Sequence, residues 1–213
     1  MTENTIKWDD KKDLEPSPIK LILTLGIAGL LSGIAIVGIY EATLPTITAY
    51  QAKMLREAVF KVLPSVTQIQ KMRYTSEQLQ VDNSEADDDN SLYAGYNVEG
   101  HLVGYAIVAE GPGFQDTIRL LYGYRPNEKM IVGMEILESR ETPGLGDKIY
   151  KDADFVANFK ALTVEPSIVL VKKGTKSKQN QVDAISGATI SSKAVVRIIN
   201  QTHEKWLERL SKK

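Results

Sequence analysis

A chain of 213 residues has room for one domain and an anchor. Its 43% apolar and 25% charged residues suit a packed core, and a formal net charge of -1 offers no basic face to nucleic acid. Cysteine is absent, which excludes disulfides, Cys-ligated zinc, thiolate catalysis and Cys-held iron–sulfur clusters, and two histidines far apart, His101 and His203, argue against a His-rich metal site.

Residues 21–40 carry no charge. A helix of about 20 apolar residues spans a bilayer core. Lys20 and Glu41 bracket the run, and Tyr40 suits an interface. The expected layout is a tail over 1–18 and a transmembrane helix over 19–40. A buried soluble helix would keep a polar face, and a cleaved signal peptide would have a shorter apolar run and a small-residue site after it. Lys7, Lys11, Lys12 and Lys20 precede the span, whereas Lys53 and Arg56 follow it. That bias puts the N-terminus in the cytoplasm and the main domain outside it. Gly26, Gly29, Gly33 and Gly38 either pack against partner helices or reflect the frequency of glycine in membrane helices.

Met54, Leu55, Ala58, Val59 and Val62 recur at helical spacing, predicting a helix over 43–63 that Pro64 stops. Residues 41–64 then form a stalk, and 65–213 form the domain. Residues 81–90 are acidic, with Asp82, Glu85, Asp87, Asp88 and Asp89, but lack the glycine of a calcium loop and read as a solvated surface. Strand formers over 91–98 and 101–109 flank a turn at Glu99-Gly100, and runs over 117–124 and 130–137 flank one at Pro126-Asn127-Glu128. A short helix over 152–162 presents Phe155, Val156 and Phe159 on one face, 167–171 is a strand, and a last helix covers 190–210, with Val195, Ile198, Ile199, Thr202, Trp206 and Leu210 near one stripe. The expected class is α+β: a mainly antiparallel, meandering sheet with flanking helices.

Two segments carry chemistry. In Glu141-Thr142-Pro143-Gly144-Leu145-Gly146-Asp147 the proline fixes one backbone angle and the glycines permit positive φ or close approach. Its glycine spacing fits neither a Rossmann fingerprint nor a P-loop. In Asp183-Ala184-Ile185-Ser186-Gly187-Ala188-Thr189 two hydroxyls and small residues lead into the last helix. Ser186 or Thr189 either caps that helix or meets a phosphate at its N-terminus. Asp183 orients a hydroxyl, binds Mg²⁺ held by a phosphate, or stays in solvent. No histidine lies near enough in sequence for a Ser-His-Asp relay, so no catalytic residue is assigned.

These residues resemble the D-x-x-[S/T]-G-A-T flavinylation motif and the E-T-P-G-L-G loop of the FMN-binding domain family. With one membrane span ahead of one such domain, the whole chain is similar to the G subunits of Rnf-type electron transport complexes. The resemblance implies FMN joined covalently through its phosphate to Thr189 by a flavin transferase that uses FAD and Mg²⁺. It implies that Ser186 and the N–H groups of Gly187, Ala188 and Ile190 cradle the phosphate, that Asp183 assists the transfer, and that Thr142, Gly144 and Leu145 lie along the flavin. Tyr105, Tyr122 and Tyr124 either stack on the ring or fill the core. No metal stays in the protein. The implied role is an electron carrier in a membrane-bound, ion-translocating ferredoxin:NAD oxidoreductase, partnered by the other Rnf components, the bilayer and, during maturation, the transferase. The C subunit of the sodium-translocating NADH:quinone reductase shares the motif and anchor but carries a longer exposed domain. A non-redox bitopic assembly protein and a stand-alone extracytoplasmic flavin reductase are the remaining alternatives.

Overall fold

A computed structural model describes residues 17–84 and 89–211. Lys7, Lys11, Lys12 and most of the expected tail, together with Glu85, Asp87 and Asp88, lie outside them. The chain divides between Tyr50 and Gln51 into two bodies. The described part of the first is helical: α1 runs Pro18–Val62, and its apolar stretch, with a mean hydropathy of 2.4, is long enough to cross a membrane. The two helices expected over 19–40 and 43–63 are thus one. Pro45 lies inside it without ending it.

The second body is built on a seven-stranded antiparallel sheet of β1 (Gln68–Thr75), β2 (Gln78–Val81), β3 (Ser91–Tyr96), β4 (Leu102–Pro112), β5 (Thr117–Arg125), β6 (Met130–Ser139) and β7 (Leu162–Thr163), in the order β2-β1-β3-β4-β5-β6-β7. Two short helices, α2 (Lys148–Lys151) and α3 (Ala153–Ala157), precede β7. A parallel pair, β8 (Val169–Val171) and β9 (Gln181–Asp183), then leads to α4 (Thr189–Ser211). The α+β class and the meander from β3 to β6 agree with the sequence reading. The β1–β2 hairpin was not legible: its two-residue turn, Ser76-Glu77, takes φ of 52° and 62° without the glycine or asparagine that normally marks such turns.

Both faces of the sheet are covered, so its central strands are apolar on both sides. On one face Tyr105, Ile107, Ile118, Leu120 and Tyr122 pack with Val195, Ile198, Ile199 and Trp206 of α4 and with Phe155 and Phe159. On the other, Ala106 and Leu121 meet Leu55, Val59, Val62 and Leu63 from the end of α1. Glycine makes that second contact possible. Gly95 pairs with Gly104, and Gly123 with Gly133, across neighbouring strands. A β-carbon on Gly133 would stand 2.7 Å from Val62 Cα, and one on Gly123 would collide with the Val62 carbonyl.

Tyr105, Tyr122 and Tyr124 all lie in the core, so the packing role, not ring stacking, is the one the fold gives them. Tyr124 and Tyr122 set their edges against His203 of α4, with centroids 4.5 and 6.2 Å away. Neither imidazole nitrogen has a partner among the described residues, nor does the Tyr122 hydroxyl. Burial pushes His203 down from 6.5 to about 4, with Glu165 pulling weakly the other way.

This packing has two measurable consequences. Gly123→Ala should lower the urea midpoint, at a cost of about 3 kcal/mol, because its backbone neighbour cannot swing aside. Below pH 6.5 the unfolded chain binds a proton at His203 that the folded chain refuses until about pH 4. Stability from this group is therefore present above 6.5 and lost down to about 4, by about 3 kcal/mol in all, and His203→Phe should flatten that limb of the pH–stability curve.

Candidate functional site

The first turn of α4 begins where a glycine turn ends. Gly187 has a φ of 82°, and a side chain there would strain the turn. Ala188 is buried, its N–H donates to the Ile185 carbonyl (3.0 Å), and its own carbonyl accepts the first helical bond, from Ser192 N (3.0 Å). Ser192 Oγ locks the turn from inside: it accepts from Ile185 N (3.1 Å) and donates to Ala188 O (2.9 Å). Thr189 is the first helical residue and is exposed. Its hydroxyl and the N–H groups of Thr189, Ile190 and Ser191 make no hydrogen bond among the described residues. The capping role open to Ser186 or Thr189 is therefore filled by neither side chain. Ser186 and Gly187 are exposed beside this turn, and Ala188, expected to offer its N–H to a phosphate, has that group engaged.

The second motif lies against the same turn. Glu141 is 5% exposed, and its Oε2 accepts from Ser191 Oγ. Its Oε1 accepts from Phe114 N (2.9 Å) and Gln115 N (3.0 Å). Burial alone would raise this carboxyl, but the bonds from Ser191, Gln115, Phe114 and Asp116 outweigh it and hold the group below the usual carboxylate range. Gly146 fits between these partners: a β-carbon there would lie 2.7 Å from Glu141 Oε2 and 2.9 Å from Ser191 Oγ.

Thr142 Oγ1 donates to Gln115 Oε1 (2.9 Å), and its carbonyl receives Leu145 N (3.2 Å) and Asp147 N (3.3 Å). Gly144, with a φ of 78°, and Leu145 form the exposed tip of this loop. The Asp147 carboxylate holds the loop's far end: Lys151 Nζ at 2.6 Å, then the Gly144 N–H, keep its pKa low. Asp183 has a different setting. Its Oδ1 accepts from Gly174 N (3.1 Å) and Lys176 N (3.2 Å), holding the turn after β8. It lines a cavity of about 220 Å³ with Asp152, Asp154 and Asn158.

The fold thus gathers Thr142, Gly144 and Leu145 on one loop and Ser186, Gly187, Ala188 and Thr189 on the turn beside it, through Glu141 and Ser191. Sequence reasoning took Glu141 for part of a loop motif or a flanking charge, and overlooked Ser191, Phe114 and Gln115 altogether. Only Gly146, one of the two loop glycines read as permitting positive φ or close approach, signalled in advance that something packs tightly there.

A family model described as FMN-binding domain matches residues 113–204, which contain both loops and most of α4. The G subunit of the ion-translocating oxidoreductase complex of Methanosarcina acetivorans is 33% identical over 181 residues, covering 83% of this chain and 88% of the relative. The G subunit of the Na(+)-translocating ferredoxin:NAD(+) oxidoreductase complex of Acetobacterium woodii is 36% identical over 118 residues, 53% of each chain. Among solved structures, the C subunit of the Na(+)-translocating NADH-quinone reductase of Parabacteroides distasonis matches with a TM-score of 0.62 at 20% identity, over 78% of this chain and 94% of that one. This last likeness is one of fold.

Gly146→Ala should push the loop off the α4 turn and lower stability by about 1–3 kcal/mol, read as a reduced urea midpoint.

Proposed function

Since the chain belongs to the family of G subunits of ion-translocating oxidoreductase complexes, we propose that it carries electrons through FMN bound covalently at Thr189 Oγ1. One observation carries this reading: an exposed, unbonded threonine hydroxyl heads a 23-residue helix whose first N–H groups are free, inside the matched FMN-binding region. The residues fit a phosphate. Free N–H groups at a helix N-terminus donate to an anion, and the helix dipole favours its charge. The N–H groups of Thr189, Ile190 and Ser191 are the available donors, with the exposed Ser186 hydroxyl beside them.

Thr189 supplies the nucleophilic oxygen. Its Oγ1 would bond to the FMN phosphorus as the pyrophosphate bond of an FAD donor broke, with AMP as the leaving group and the hydroxyl proton passing to solvent. Bound FMN supplies one- and two-electron chemistry; the protein supplies position and electrostatics. Thr142, Gly144 and Leu145 belong to the loop that flanks the flavin in this reading. Asp183 assists the transfer in this reading, one of its carboxylate oxygens being held by the turn after β8.

Residues 19–40 serve as the transmembrane anchor, 41–64 as the stalk and 65–213 as the flavin domain, with the N-terminus in the cytoplasm and the domain outside it. The name of the Acetobacterium woodii relative supports a place in a ferredoxin:NAD oxidoreductase, where this chain relays electrons among other proteins of the complex. A transferase is a transient partner during maturation.

Full-length protein co-expressed with a flavin transferase should gain the mass of FMN less water and show a fluorescent band on a denaturing gel. Thr189→Ala should lose both. A band that survives this substitution refutes the attachment, and an unmodified parent chain favours the non-redox assembly protein.

A further inference from the structure

We propose that Glu141 is a positioning residue for the flavin, an inference that rests on attachment at Thr189. Its carboxylate joins three segments remote in sequence: the bend at Gly113–Gln115, the Thr142–Gly146 loop and the first turn of α4. Oε1 takes two backbone N–H groups of the bend, at 2.9 and 3.0 Å, and Oε2 takes the Ser191 hydroxyl two residues beyond Thr189. Gly113 and Gly146 both abut this carboxylate so closely that neither admits a β-carbon. No other buried carboxylate among the described residues ties the α4 turn to a loop.

Each of the three segments also exposes a large apolar side chain. Phe114 is 64% exposed, Leu145 51% and Ile190 60%. Phe114 belongs to the bend, Leu145 to the loop, and Ile190 directly follows the acceptor threonine. Exposed apolar side chains on the three segments that Glu141 joins, one of them next to Thr189 in the chain, suit an aromatic ring system tethered at that threonine. Glu141 is itself buried. It fixes the distance between the segments, and through them the seat of the ring.

The side-chain chemistry separates positioning from simple support of the fold. In Glu141→Gln the amide oxygen still accepts from the bend, and the amide N–H₂ donates to Ser191 Oγ, whose hydroxyl reverses its role. Glu141→Ala keeps neither tie, and Ser191→Ala cuts only the tie to α4. The test uses the full chain, loaded by co-expression with a transferase, and reads flavin fluorescence anisotropy and the visible band shape on the folded protein, with thermal melting as the check on folding. Glu141→Ala should drop the anisotropy toward that of free FMN and blur the band structure, Ser191→Ala should do the same in smaller measure, and Glu141→Gln should restore the parental values. Parental anisotropy in folded Glu141→Ala overturns the proposal. Where that variant does not fold, Ser191→Ala decides: a fall in anisotropy upholds it and an unchanged value overturns it. Thr189→Ala runs alongside. Loss of denaturation-resistant flavin there, with unaltered flavin in the other variants, refutes positioning by Glu141 while attachment stands; flavin persisting on Thr189→Ala refutes attachment itself.

Discussion

A single buried carboxylate holds the functional end of this domain together. Glu141 sits where the bend after β4, the loop after β6 and the start of α4 converge, and each of its oxygens is spoken for. A buried charge is costly unless its hydrogen-bonding capacity is filled. Here two backbone amides and a hydroxyl fill it, and the bonds outweigh the burial that would otherwise neutralise the group. The energetic requirement of the charge thereby becomes a geometric one, because both of its oxygens are satisfied only when all three segments are in place. Arg197 adds a second clasp from α4 to the same bend through the Pro112 carbonyl.

Behind this end, the sheet is a plate with helices on both sides. Antiparallel sheets often leave one face to water; this one buries both, which explains the near-continuous apolar character of β4 and β5. The two sides are built by different means. The α4 side relies on large interlocking side chains, Trp206 and Tyr122 among them, reinforced by the reciprocal bonds of Asn200 with the Ile168 backbone. The α1 side relies on missing side chains: Gly123 and Gly133 let the backbone at Val62 lie almost on the sheet, and Gly95 leaves room for the side chains of Leu63 and Val66. One face is set by volume, the other by its absence.

How much of this could be read from residues alone depended on whether the signal was local. The long apolar helix, the two central hairpins and α4 announce themselves through periodicity and turn residues, and their ends fall within a few positions of expectation. The β1–β2 hairpin did not, because its turn uses Ser76 and Glu77 in a backbone conformation their chemistry does not advertise. Short β7 and β9 were missed because two or three residues carry no period. At the site, the loops were legible as motifs, and Thr189 was singled out through resemblance. The tie between them was not: Glu141 and Ser191 lie fifty positions apart, and only the folded chain brings a serine of one helix to a glutamate of another loop. The setting of Asp183 was likewise invisible in the sequence: one of its carboxylate oxygens is held by the backbone of the turn after β8.

The exposure of Thr189 bears on the order of events in biogenesis. A hydroxyl sealed inside the core would have to be modified before the chain closed around it, whereas one standing in solvent on a finished helix can be reached afterwards. On the proposed attachment, a transferase would meet Thr189 at the start of a formed helix on the domain surface instead of in a nascent peptide.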